Sequence, residues 1–271
     1  MNQPSPAPGV GVQAPVRVLF EGRYRKMARG LPQTIFYCPE CKGSGCERCE
    51  GYGKLTKDSV QELIARVAMP WFKARRNKFH GAGREDVDVR MLGTGRLFVF
   101  EMLKVKRPGV DLEELASEIN RRAEGRMEIF DLRYCGRKRV PEIKETRCPK
   151  EYRARVSFLE NPGADVLHER FEALSARGRL PVVQSTPQRV AHRRAKKDRE
   201  RWIEVKEWKD EGDTWTVSLH SAHGTYIKEA VSGEEGRTRP SLSELLQVSC
   251  TCVELDVLAI LPPEPEEEES T

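Results

Sequence analysis

Between two apolar segments the chain runs Gly83-Arg84-Glu85-Asp86-Val87-Asp88-Val89, with Arg90 and Arg96 just beyond. Three carboxylates sit among three arginines. A solvated turn has no need of opposed charge at that density. An active-site loop does, because a carboxylate that works as nucleophile or general base must stay ionised and be aimed. The plain alternative is a mixed-charge surface loop.

A second cluster has metal-ligand spacing. Cys38-Pro39-Glu40-Cys41 and Cys46-Glu47-Arg48-Cys49 are two CxxC pairs four residues apart, with glycines at 43, 45, 51 and 53. Each CxxC turn aims two sulfurs at one ion, and the glycines let the chain curl back so that the second pair completes a tetrahedron. Zn²⁺ is the expected metal, with an iron–sulfur cluster a poor second choice. Four thiolates leave no open position for water, so the expected role is structural. Cys135, Cys148, Cys250 and Cys252 are scattered and read as ordinary thiols.

The charge balance points to an acidic partner. The chain carries a formal +5, and removing the five glutamates of 264–269 leaves +10. Nucleic acid is the leading candidate, against the alternative that basic charge only aids solubility. Two stretches are candidate phosphate contacts: Arg23-Tyr24-Arg25-Lys26-Met27-Ala28-Arg29, and a longer run with Arg189, His192, Arg193, Arg194, Lys196, Lys197, Arg199 and Arg201. Trp202 and Trp208 are expected to pack rather than to stack on bases. No apolar run is long enough to cross a membrane, and the Pro- and Gly-rich residues 1–15 lack the regions of a secretory signal, so a cytoplasmic protein is expected.

The elements that must position these residues alternate. Ser59 and Glu62 form a capping box ahead of Val60, Leu63, Ile64, Val67 and Trp71, which share one helical face; Pro70 is expected to kink or end that helix. Asp111 caps a second helix with Leu112, Leu115, Ile119 and Ala123 on its stripe. Further helices are expected over 166–174, 224–231 and 241–246. Strands are expected over 97–100, entered by a Thr94-Gly95 turn, and over 127–132, 152–159, 215–220 and 252–260. The interleaving predicts an α+β fold with a mixed, largely antiparallel sheet flanked by helices. The expected organisation is a disordered lead-in (1–16), a basic segment with the cysteine knuckle (17–57), a catalytic domain (58–262) and an acidic disordered tail (263–271).

Gly83-Arg84-Glu85-Asp86 resembles the Gly-Arg-Thr-Asp element of TruA-type pseudouridine synthases. The run from His80 to Arg96 closely resembles the tRNA pseudouridine synthase Pus-ten family of archaea and eukaryotes. So do 23–34 followed by the knuckle, Thr186-Pro187-Gln188-Arg189-Val190-Ala191-His192-Arg193-Arg194, Gly224-Thr225-Tyr226-Ile227-Lys228-Glu229, Gly236-Arg237-Thr238-Arg239-Pro240-Ser241 and Glu254-Leu255-Asp256-Val257. The resemblance covers residues 17–260. It implies the pseudouridine synthase fold, a tRNA substrate, and isomerisation of uridine to pseudouridine in the TΨC arm (positions 54 and 55 of the tRNA) with no catalytic cofactor. It makes Asp86 the catalytic carboxylate, as nucleophile at C1′ or base at C2′, with Asp88 as a structural partner of neighbouring arginines. It adds to the catalytic set Lys228 as the basic partner, Tyr152 stacking on the uracil or taking the C5 proton, and Arg84 contacting the RNA or helping to flip the base, with Ile227 and Leu255 as apolar pocket residues. Family members usually carry an N-terminal THUMP-containing domain; none is expected within these 271 residues, so a separate RNA-binding partner is an expectation too. The alternatives are a non-catalytic zinc-knuckle RNA-binding protein, a DnaJ-like cysteine module, and a synthase acting on another RNA.

Overall fold

The computed structural model of this 271-residue chain describes residues 16–191 and 195–263. The expected N-terminal lead-in and acidic tail lie almost wholly outside the described residues.

Among the described residues, ten strands and six helices follow one another as β1 (Val16–Lys26), α1 (Val60–Trp71), β2 (Arg76–Gly81), β3 (Arg90–Val105), α2 (Leu112–Ala123), β4 (Met127–Tyr134), α3 (Arg139–Glu145), β5 (Lys150–Phe158), α4 (Ala164–Ala176), β6 (Leu180–Gln184), β7 (Arg199–Asp210), β8 (Trp215–Ser221), α5 (Ile227–Ser232), β9 (Thr238–Arg239), α6 (Leu242–Leu245) and β10 (Cys250–Ile260). The strands form one sheet in the order β4-β1-β3-β10-β5-β8-β7-β6-β9, with β2 on the free side of β3. Its pairs are antiparallel except β3–β10, where Asp256 faces Arg90 and Val257 faces Met91. The α+β fold with a mixed, largely antiparallel sheet is as expected.

Local chemistry sets the helix ends. Ser59 Oγ accepts from the Glu62 amide, α1 stops one residue after Pro70, and Asp111 caps α2 through the amides of Glu113 and Glu114. One apolar cluster runs through the sheet. Phe20, Phe72, Phe98 and Phe100 interleave under β1 and β3, and Trp215 stacks on Phe171 under β8. Trp208 also stacks with Phe171, and Trp202 lies under the Arg179 guanidinium, so both tryptophans pack.

Two expectations change. The basic stretch at 23–29 is no phosphate clasp, because residues 16–26 are a strand between β3 and β4, inside the sheet and not in a segment apart from it. Tyr24 and Lys26 are buried, Arg25 lies over the Phe130 ring and pairs with Glu128, and Arg29 pairs with Glu254 and Asp256. Thr94-Gly95 is not the entry to a short strand: β3 begins at Arg90 and passes through Gly93 and Gly95, both at positive φ.

Gly93 is the tightest point of the β3–β10 junction. A Cβ there would lie 1.7 Å from the Leu258 carbonyl oxygen, on a backbone at φ +49°. Gly93→Ala is expected to destabilise the chain by about 2 kcal/mol or more, read from urea unfolding. Unchanged stability would mean that the two strands part there at no cost.

Candidate active site

A cavity of about 340 Å³ opens where the loop between β2 and β3 meets β5, β10, the start of α5 and a 3₁₀ turn at Gln188–Val190. Arg84, Asp86, Tyr152, Arg189, Ile227, Lys228 and Leu255 all line it. Candidates spread over more than 170 residues of chain thus meet at one place. Tyr152 and Val257 face each other across the β5–β10 pair and form part of one wall. Arg84 is exposed at the cavity wall. His192, Arg193 and Arg194, expected on the RNA, lie outside the described residues.

The loop stands on a dry ion cluster. The Glu85 side chain is 1% exposed and pairs with Arg96 at 2.8 Å and with Lys26 at 3.8 Å. The Tyr24 hydroxyl donates to Glu85 at 2.9 Å and accepts from Gln33 Nε2 at 2.8 Å. Lys26 Nζ also donates to the carbonyls of Leu31 (2.7 Å) and Asp86 (3.0 Å), Gln33 to that of Gly83 (3.0 Å), and Arg96 to that of Ala82 (2.8 Å). Side chains from β1, β3 and the segment after β1 therefore hold the loop backbone on either side of Glu85. Sequence reasoning saw Glu85 as one of three candidate carboxylates. Its partners, 61 and 11 positions away in Tyr24 and Arg96, carried no local signal.

The next two acids each have their own cation. Asp86 Oδ2 lies 2.6 Å from Arg189 Nη1, and Arg189 Nε lies 2.5 Å from Glu229 Oε1. Burial works against the charge on Arg189, but Glu229 and Asp86 more than offset it and raise its pKa. Arg189 thus belongs to the cavity and not to an outer phosphate-binding face. Lys228 Nζ meets Asp88 Oδ2 at 2.5 Å, so the lysine pairs with the second aspartate. Partial burial opposes ionisation of Asp88, and the Lys228 ammonium holds its carboxyl below the usual range. Asp88 was expected beside arginines and is found on this lysine. Burial pushes the Tyr152 phenol up to about 12, which keeps it neutral beside the acids.

The four knuckle cysteines converge. Their sulfurs all lie within 4.8 Å of one another, with Cys38–Cys46, Cys41–Cys49 and Cys46–Cys49 at 3.7 Å. A tetrahedron with metal–sulfur bonds of about 2.3 Å has edges of about 3.8 Å, so the set fits a metal ion. Amides of Gly45, Cys46 and Gly53 point at the sulfurs. Gly53 has no alternative, because a Cβ there would lie 2.4 Å from the Gly43 carbonyl. The loop closes through the Tyr37–Lys54 bridge. Cys46→Ser is expected to remove one bound metal ion per chain, counted by elemental analysis, and to raise amide exchange over 36–54 while the sheet stays protected. Full metal content in that variant would contradict the site.

Residues 19–260 match the family model described as Pus10, C-terminal. The tRNA pseudouridine synthase Pus10 of Methanopyrus kandleri is 44% identical over 247 residues, covering 90% of this chain and 56% of the relative. Those of Methanocaldococcus jannaschii and Archaeoglobus fulgidus are 43% and 44% identical over 90% of this chain, and 53% and 67% of the relatives. The chain spans a little over half the length of the first two. A chain of a Cbf5-Nop10-Gar1 complex aligns at TM-score 0.41 and 17% identity over 73% of this chain and 44% of its own. With a family model matched across both the acidic loop and the strands that hold it, the chain belongs to the Pus10 C-terminal family.

Proposed function

We propose that the chain isomerises uridine to pseudouridine in tRNA, at position 54 or 55 of the TΨC arm, with Asp86 as the acting carboxylate. The observation that carries the reading is Asp86 at the cavity wall, ion-paired to Arg189 and seated on the buried Glu85 cluster, in a chain 44% identical to a tRNA pseudouridine synthase. The target nucleotide leaves its stack to enter a cavity of this size, at a cost of a few kcal/mol. Asp86 then acts at the ribose, either as nucleophile at C1′ or as base at C2′. The N1–C1′ bond breaks, the uracil turns, and C5 bonds to C1′. C5 gives up its proton and N1 ends protonated, so no external co-reactant enters. Arg189, anchored on Glu229, holds the Asp86 carboxylate in one orientation. Tyr152 supports the base, and Ile227 and Leu255 give it apolar walls. Lys228 and Asp88 brace the rim, and Arg84 meets the RNA. The knuckle takes Zn²⁺ as a structural ion, since four thiolates leave it no catalytic position. A cytoplasmic location and an RNA-holding domain or partner beyond this chain belong to the same reading.

The test is site-mapped pseudouridine in an unmodified tRNA transcript. Asp86→Asn is expected to abolish product while tRNA stays bound, and Arg189→Gln to lower kcat by about 10²-fold. Product from Asp86→Asn would remove the mechanism. Binding without turnover by the native chain would favour a non-catalytic zinc-knuckle RNA-binding protein, and product only in another RNA would change the substrate.

A further inference from the structure

One corner of the cavity holds a buried lysine that meets no carboxylate among the described residues. Lys150 stands two residues before Tyr152 on β5, so the two side chains share a face of the sheet. It lines the cavity yet is only 7% exposed. Its Nζ donates to the Cys148 carbonyl at 3.2 Å and pairs with no carboxylate among the described residues. Burial, and after it the charge of Arg96, pushes the ammonium down to about 8.

Two more groups follow in turn, His223 near Lys150 and Arg201 near His223. His223 follows β8 and also lines the cavity, and its buried Nδ1 has no hydrogen-bond partner among the described residues. Burial, then Lys150, Arg201 and Arg147, push its imidazole down to about 4. Arg201, on β7, backs Gly224, where a Cβ would sit 3.7 Å from Arg201 Nη2. Among the described residues the Nε of Arg201 is buried and unpaired, and its Nη1 reaches only the Glu200 carbonyl.

A buried cation and an unpaired buried guanidinium N–H are costly unless something supplies the missing charge and acceptors. Several other buried charges are matched: Glu85 has Arg96, Asp58 has Arg66 and Arg126, Glu21 has Arg133 and Arg139. Here no described residue supplies the matching group. Gly224, exposed and at φ +76°, leaves the approach open. An RNA strand carries one phosphate per nucleotide, each with several acceptor oxygens.

We propose that Lys150, His223 and Arg201 form an anion subsite that takes a backbone phosphate of the nucleotide whose base enters the cavity. The phosphate completes a charge balance that the protein leaves open, and it fixes the ribose relative to Asp86. The identity of the strand as RNA rests on the proposed function.

The probes are uridine 5′-monophosphate, uridine and inorganic phosphate, titrated into the full chain by calorimetry, with the Lys150 side chain followed by NMR. The nucleotide is expected to bind at least tenfold more tightly than the nucleoside, to be displaced by inorganic phosphate, and to move the Lys150 titration upward. Lys150→Met is expected to erase that advantage and leave uridine affinity unchanged; Arg201→Gln serves if Lys150→Met does not fold. Equal affinity for the two probes, or an advantage that survives both substitutions, overturns the subsite. An intact nucleotide advantage without turnover on any RNA would instead remove the isomerase reading and keep the subsite.

Discussion

The site depends on one buried ion pair, Glu85 with Arg96. Taking two charges out of water costs several kcal/mol each, and their attraction repays this only when geometry is good and the remaining lone pairs are satisfied. Here Tyr24 and Lys26 supply the other contacts to the carboxylate. Because the cost is high, the arrangement tolerates little drift. The backbone carbonyls of Ala82, Gly83 and Asp86 are bonded to members of the same cluster, so the loop has one register. The residue after Glu85 is then delivered to the cavity wall by construction.

From that floor outward, exposure rises one acid at a time. The side chains of Glu85, Asp86 and Asp88 are 1%, 30% and 62% exposed, and each meets a different cation. The inner acid is structural, the middle one is reachable by a ligand, and the outer one ties the loop to α5 through Lys228. Arg189 and Lys228 come from the far half of the sheet, and Glu85 and its partners from the near half. The β3–β10 pairing joins those halves, which is why the close approach at Gly93 bears on the cavity.

Much of this was legible in the sequence where the signal was local. The caps at Ser59 and Asp111, the stop at Pro70, the cysteine spacing and the alternation at 215–220 each rest on neighbours within about a dozen residues. The resemblance brought Asp86, Tyr152, Ile227, Lys228 and Leu255 together, and the cavity does the same. β1, β2 and β7 were missed because their charged residues hide the period of two. Lys26 is buried by carbonyl partners that lie 5 and 60 positions away. Arg189 read as an outer cation because Asp86 and Glu229, its partners, are 103 and 40 positions distant; only the fold brings them together. A buried polar network of this kind leaves no trace in composition.

The most direct measurement is turnover and unfolding free energy of Glu85→Gln, the substitution that keeps the side-chain shape and removes the charge. The account predicts a loss of about 3–5 kcal/mol in stability, because Arg96 is left buried without its anion, and a fall in turnover by the folded fraction as the loop loses its register. A Glu85→Gln chain as stable and as active as the native one would contradict it.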